Sequence, residues 1–210
     1  MTQQAFVYTE LQISVPFAEA PWRDLNPTLR AQPGLLNKTW LAGIGTGSLG
    51  GFYAFETAEA AEAFVTGYFP DEARRFGAAP TTRIFDARPV EEASRDMGSV
   101  HFGPSSAQRP GAFVYTEVWV SVPFAQAPWR EINPVLKQQP GLLSKTWLSG
   151  WPTNTLGGIY AFDTAENARA FALDYFPSET DKLRAAYTAR LFDAAVVEEA
   201  SRDLASPFYA

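Results

Sequence analysis

The stretch PGLLNKTW, Pro33 to Trp40, recurs as PGLLSKTW, Pro140 to Trp147, an offset of 107 residues. The same offset carries AFVYTE at Ala5 onto AFVYTE at Ala112, LGG at Leu49 onto LGG at Leu156, and VEEASRD at Val90 onto VEEASRD at Val197, without a gap. About 60 of the roughly 93 aligned positions are identical, and self-similarity of that length at a fixed period is the mark of a duplicated structural unit. The chain therefore reads as one fold written twice: a first half over 1–97, a Gly-, Ser- and Pro-containing linker over 98–111, and a second half over 112–210.

The 210 residues suit two domains of about a hundred each. Units of that size gain from covering an apolar face with a partner, and here each half can serve the other. Hydrophobic residues make up 46% and aromatics 14%, which excludes a disordered chain. A net charge of −6 with no long Lys or Arg run argues against nucleic acid as a partner. MTQQAFVYTE lacks the basic-then-apolar pattern of a signal peptide, and no run of about 18 apolar residues offers a membrane span, so a cytoplasmic protein is expected. Cysteine is absent, which removes disulfides, thiolate nucleophiles and sulfur-ligated metals.

Residues Phe6 to Val15 alternate, with Val7, Thr9, Leu11, Ile13 and Val15 on one face and Phe6, Tyr8, Glu10, Gln12 and Ser14 on the other. A short or interrupted helix is expected next, since Pro27 would break a long one, ending before Pro33–Gly34. Strands follow at Leu35–Leu41 and Phe52–Phe55, joined through the glycine-rich GIGTGSLGG. Thr57 is a natural N-cap for AEAAEAFVTGYF, Pro70 opens a further turn, and Thr81–Ala87 reads as the last strand. The order is β-α-β-β-α-β, the ferredoxin-like arrangement. The expected fold class is α+β: two ferredoxin-like βαββαβ repeats, helices on one sheet face, forming an intramolecular pseudo-dimeric α+β barrel with the mixed faces together.

PGLLNKTW, then GGFYAF, then TRIFDA with the acidic tail EEAS resemble the YdhR-like monooxygenase family, over most of each half. That resemblance implies the dimeric α+β barrel, in which two βαββαβ chains pack their sheets together, an architecture shared with cofactor-independent quinone-forming monooxygenases. This chain departs by fusing two copies, so it looks like its own dimer. Further homo-oligomerisation is compatible with it.

The one histidine, His101, falls in the linker, which leaves no Ser-His-Asp triad, no histidine metal site and no haem ligand on the domain body. LGGFYAF and GIGTGSLGG lack the Lys-Ser/Thr of a phosphate loop. No cofactor and no metal are expected. Alternation places Tyr115, Glu117 and Trp119 on one face of a strand, and Lys145 with Trp147 on one face of the next, as Tyr8, Glu10, Lys38 and Trp40 are placed in the first half. Glu117 and Lys145 are the candidate catalytic pair, a base and a charge stabiliser entering an aromatic space. Tyr115, Trp119, Trp147, Trp151, Tyr160 and Arg190 are the candidate substrate-binding residues. The same residues also fit plain inter-sheet packing and a structural ion pair. Asn26 and Asn133, each before a proline, fit helix caps. Arg83 and Arg190 fit either orientation of a substrate anion or pairing with acids of the Asp24 and Glu131 kind.

Differences between the copies favour the second half as the working one, because Gln12 becomes Trp119, Ile44 becomes Trp151 and Gly45 becomes Pro152. The expected function is a cofactor-independent monooxygenase, or a related tailoring enzyme, acting on a small aromatic, phenolic or polyketide-like molecule. A non-catalytic small-molecule-binding or stress-response protein, and a cyclase or isomerase without oxygen chemistry, are the alternatives.

Overall fold

The computed structural model describes residues 4–105 and 108–209. Strands β1 (Ala5–Leu11), β2 (Leu35–Gly43), β3 (Leu49–Phe55) and β4 (Pro80–Asp86) form the first half with helices α1 (Trp22–Arg30), α2 (Ala58–Ala63), α3 (Phe69–Arg75) and α4 (Glu91–Asp96). The second half repeats this as β5 (Ala112–Val118), β6 (Leu142–Ser149), β7 (Leu156–Phe162) and β8 (Tyr187–Asp193), with α5 (Trp129–Leu136), α6 (Ala165–Ala170), α7 (Phe176–Leu183) and α8 (Glu198–Asp203). The βαββαβ order is as expected in both halves. Among the described residues no helix is long and apolar enough to cross a membrane.

Each half is an antiparallel sheet, and the eight strands run β4-β1-β3-β2-β8-β5-β7-β6. Two short symmetric seams join the halves. One pairs Ala42 with Asp193 and Gly43 with Phe192, and the other pairs Phe85 with Gly150. Main-chain bonds from Ile44 to Leu191 and from Trp151 to Ile84, both 2.9 Å, continue the seams. The sheets thus curl into a barrel, which leaves few free strand edges.

Two helical features involve proline. Helix α1 is short, one of the two expected forms, and runs through Pro27 uninterrupted, with Arg30 still helical. Between α2 and α3, and again between α6 and α7, the helix widens into a π turn, Phe64–Tyr68 and Phe171–Tyr175. Pro70 and Pro177 follow directly; a proline ring crowds the carbonyl four residues earlier, and a wider turn relieves that crowding. Thr57 and Thr164 do cap α2 and α6, accepting from Ala60 N and Asn167 N.

The halves also exchange their last helices. Val90, Ala93 and Met97 of α4 and its end belong to the core of the second half, whereas Val197, Ala200 and Leu204 belong to that of the first. Ser94 Oγ accepts from Trp147 N and Ser201 Oγ from Trp40 N, both at 2.9 Å. Each fully buried Val, Leu or Met contributes about 1.5–3 kcal/mol, so neither half keeps its core without the other.

The linker is correspondingly shorter than 98–111. Ser99 to Phe102 are placed as Ser206 to Tyr209 are, one repeat later, and both tails plug the barrel: Ser99 Oγ meets Thr146 Oγ1 at 2.6 Å, and Ser206 Oγ meets Thr39 Oγ1 at 2.7 Å. Residues 106 and 107 of the expected linker, like 1–3 and 210, lie outside the described residues.

Candidate functional site

Register decides which residues meet. Residues opposite each other in a ladder share a face, and neighbours alternate. Tyr160 pairs with both Val114 and Lys145, and Gly158 with both Thr116 and Trp147, so Lys145, Trp147 and Tyr160 lie on the helix-covered face with Val114, Thr116 and Val118. Tyr115 and Glu117 lie on the opposite face, inside the barrel. The candidate pair Glu117 and Lys145 is therefore divided by the sheet itself, as Glu10 and Lys38 are in the first half.

Inside the barrel, Tyr8 and Tyr115 stack across the pseudo-two-fold axis with ring centroids 3.9 Å apart and planes 3° from parallel. Each tyrosine donates to the glutamate two residues on, Glu10 or Glu117, at 2.8 Å. Arg83 reaches Glu117 at 3.0 Å and Arg190 reaches Glu10 at 3.3 Å, each from the opposite half. These arginines thus pair across the barrel and not with Asp24 or Glu131. Thr155 Oγ1 donates to the second oxygen of Glu117 at 2.6 Å. Burial pushes both tyrosine hydroxyls far above their ordinary range, with the neighbouring glutamate adding to the effect. Two buried carboxylates matched by two guanidinium groups make a structural cross-brace, beside a polar cavity of about 200 Å³ that the same residues line with Thr81 and Thr188.

Trp119 and Trp151 sit at the rim, 39% and 42% exposed, and line an open groove with Arg83, Glu117 and Thr153. They do not wall the space that Lys145 enters. His101 lies at the other end of the barrel interior, edge-on to Phe6, Phe52 and Phe208, with Nε2 sealed from solvent and without a partner. Burial pushes its pKa down to about 3, so it is neutral.

The helix-covered face holds one cavity per half, and they differ in size. Between the second-half sheet and α5 and α7 lies a cavity of about 320 Å³, within the range of small-ligand pockets. The equivalent space in the first half is about 40 Å³, room for a few waters. Lys145 is the buried amine of the larger cavity, whose lining also includes Lys182. The Lys145 stem passes over Gly158, where a Cβ would stand 2.7 Å from Lys145 Cε, and its Nζ lies 2.8 Å from the Trp147 ring centroid and 4.8 Å from that of Tyr160. Burial alone pushes its pKa well below the usual lysine value, and among the described residues no carboxylate offsets this. Lys38 is depressed likewise by burial, but there Glu72 acts in the opposite sense.

Trp147 is held by a residue that was expected to cap a helix. Asn133 is inside α5 and fully buried; its Oδ1 accepts from Trp147 Nε1 at 2.9 Å, and its Nδ2 donates to Ala93 O at 3.0 Å and Asp96 at 2.8 Å. Asn26 binds Trp40, Ala200 and Asp203 in the same way. The exchanged helix, the cavity wall and the tryptophan are thereby one bonded unit. Sequence reasoning missed the α7 side, Tyr175, Phe176, Glu179, Thr180 and Leu183, which closes the cavity. The available signal was the copy-to-copy change of Leu11 to Val118, Ile13 to Val120 and Phe76 to Leu183, each of which removes volume.

A barrel of two fused ferredoxin-like halves, with a helix-covered apolar cavity containing a buried lysine, defines a member of the α+β barrel class. The family model described as "Putative mono-oxygenase ydhR" matches residues 8–89, most of the first repeat. No curated protein matches the sequence. Among solved structures, an anthrone oxidase-like protein aligns with TM-score 0.55 at 12% identity, covering 92% of this chain and 93% of its own. A ferredoxin-fold protein from Listeria monocytogenes 4b F2365, described as related to antibiotic biosynthesis monooxygenases, aligns with TM-score 0.50 at 8% identity, covering 91% and 95%. A chlorite dismutase variant from Candidatus Nitrospira defluvii aligns with TM-score 0.50 at 9% identity, covering 95% and 96%. At these identities the likeness is one of fold.

The larger cavity does not fit a haem held by histidine, cysteine or methionine, since its lining contains none of them and His101 lies across the sheet. Among the described residues no cluster of three or more His, Cys, Asp or Glu is arranged to hold a metal ion.

Proposed function

We propose that the protein is a cofactor-independent oxygenase acting on a small aromatic molecule bound in the second-half cavity. The reaction class is supported by the family match over the first repeat and by the monooxygenase-related structural likenesses. The observation that carries the site is the buried lysine, Lys145, in a cavity of about 320 Å³ whose walls are mostly apolar or aromatic, with Glu179 and Lys182 paired to each other on α7.

Burial disfavours the charged form of Lys145 and so raises the share of neutral amine, the form that can take a substrate proton. It draws the proton from a ring hydroxyl or an activated ring carbon, and the ammonium so formed stabilises the anion left behind. The electron-rich anion reduces dioxygen directly. One oxygen atom ends as a ring carbonyl, and the other leaves as water with the two hydrogens lost by the substrate, so no external reductant is required. Trp147 and Tyr160 fix the ring and exclude water. Glu117, Tyr115 and Arg190 contribute by bracing the barrel, and Trp119 and Trp151 by shaping its rim.

The test is oxygen consumption by purified protein with a panel of dihydroxyaromatics and no added cofactor. Oxygen uptake that is insensitive to chelator, and that falls by about 10²-fold or more in Lys145→Met, is the expected result. Tight binding without oxygen uptake returns the chain to the non-catalytic binding alternative.

A further inference from the structure

We infer that the second-half cavity takes a small, mostly apolar acid, whose acidic oxygen faces Lys145, in the way that Glu72 shares the first-half cavity with Lys38. This rests on reading that cavity as the ligand site, and it adds the chemical class of the ligand.

The first half acts as an internal template. Glu72 is only 6% exposed and lines the small cavity together with Lys38, Trp40 and Tyr53. One of its oxygens, Oε2, is sealed from solvent without a hydrogen-bond partner. A buried anion in an otherwise apolar space is costly unless other groups offset it, and Lys38, which Glu72 influences electrostatically, and Tyr68, which hydrogen-bonds to Glu72, line the same cavity. The first half thus carries its own acid inside its own cavity.

The second half keeps the glutamate and turns it away. Glu179, at the position equivalent to Glu72, has a side chain 40% exposed and is held by Lys182. Its neighbour Thr180 bonds back to the carbonyls of Phe176 and Pro177. Leu183, 59% exposed, stands where Phe76 stands in the first half, and Val118 and Val120 are smaller than Leu11 and Ile13. The glutamate stays at the cavity's edge but is part-exposed and paired with Lys182, the walls have receded, and the lysine has stayed buried. Val118, Ile132, Leu136, Leu156 and Phe176 supply the surface for an apolar body.

The proton transfer is closed within the site. The O–H bond of the ligand acid breaks and an N–H bond forms on Lys145 Nζ, giving a carboxylate–ammonium or oxide–ammonium pair beside Trp147 and Tyr160, with nothing oxidised or reduced. The other titratable groups around Lys145 are Tyr160 on β7, Tyr175 in the π turn, and Glu179 with Lys182 on α7. Burial raises both tyrosines above their ordinary value, which keeps their hydroxyls protonated near neutral pH, and Glu179 and Lys182 pair with each other.

The experiment is titration calorimetry of the full chain with 2-naphthoic acid, 2-naphthol and the neutral 2-naphthalenemethanol, in buffers of different ionisation enthalpy at pH 7. One site per chain is expected, with naphthoic acid at least about 10-fold tighter than the neutral alcohol. The carboxylic acid is already ionised in solution, so protonation of Lys145 on its binding draws a proton from the buffer, whereas naphthol supplies that proton itself. Lys145→Met should abolish the preference and the proton uptake while still binding the alcohol, which shows that the cavity remains formed. Equal affinities for acid and alcohol, or a preference that survives in Lys145→Met, overturn the acid assignment but leave the cavity as a ligand site. Binding of none of the three probes overturns both.

Discussion

The two helix-covered cavities descend from one sequence, yet one is about 40 Å³ and the other about 320 Å³. Most features around them are duplicated, including the π turns, the glycine under the lysine, the Asn–Trp bond and the exchanged helix, although α7 runs one residue further than α3. The difference lies in a handful of side chains and in the direction of one glutamate. A duplicated barrel can therefore keep one half as a filled, self-neutralised scaffold while the other opens, which a homodimer of identical chains cannot do.

The largest expected effect comes from exchanging those side chains. Val118→Leu, Val120→Ile and Leu183→Phe together put first-half volume into the second-half cavity, and ligand affinity should fall by about 100-fold or more, nearly 3 kcal/mol, with the melting temperature held or raised. The reciprocal change, Glu72→Ala with Phe76→Leu, should open the first cavity and move the stoichiometry from one ligand per chain toward two. Calorimetric titration reads both. Unchanged affinity in the filled variant would separate the cavity from binding.

A smaller effect distinguishes the lysines through stability. The pKa of Lys145 is lowered by folding, so between that value and the unfolded value of about 10.4 the unfolded chain binds more protons, and stability rises with pH through that window. Lys145→Met removes the cost of the buried cation and should stabilise the protein at neutral pH by about 1–2 kcal/mol, an advantage that fades as pH approaches 10. Lys38→Met leaves the buried Glu72 without its cation and should destabilise by about 1 kcal/mol or more. Thermal melts at pH 6, 8 and 10 compare the two variants. Parallel curves would mean that Glu72 does not distinguish the halves.

The repeat, strand order and barrel were legible because an offset of 107 residues and clean alternation in Phe6–Val15 leave few other solutions. Which face Lys145 takes was not legible, because alternation fixes faces within a strand but not between strands. In β6 the register shifts between Leu142 and Ser144, so counting from the Pro-Gly turn does not settle it. Asn26 and Asn133 misled for a related reason: Asn before Pro is a local capping signal, whereas their amides serve the helix arriving from the other half. The tryptophans drew attention by size, yet the volume that matters was lost at Val118, Val120 and Leu183, changes that look conservative in sequence.

The smallest expected effects are accordingly at Trp119→Gln and Trp151→Ile. Both residues sit on the rim groove, away from Lys145, so affinity for the naphthyl probes should change by less than about threefold, under 1 kcal/mol. A larger loss would move the site to the rim and the barrel interior.

The most direct measurement is a crystal structure of the full chain grown with 2-naphthoic acid. The account predicts one molecule per chain, between the second-half sheet and α7, with a carboxylate oxygen within about 3 Å of Lys145 Nζ and the rings against Val118 and Leu156. A molecule bound instead beside Trp119 and Trp151, or one bound in the first half with Glu72 in place, would contradict it.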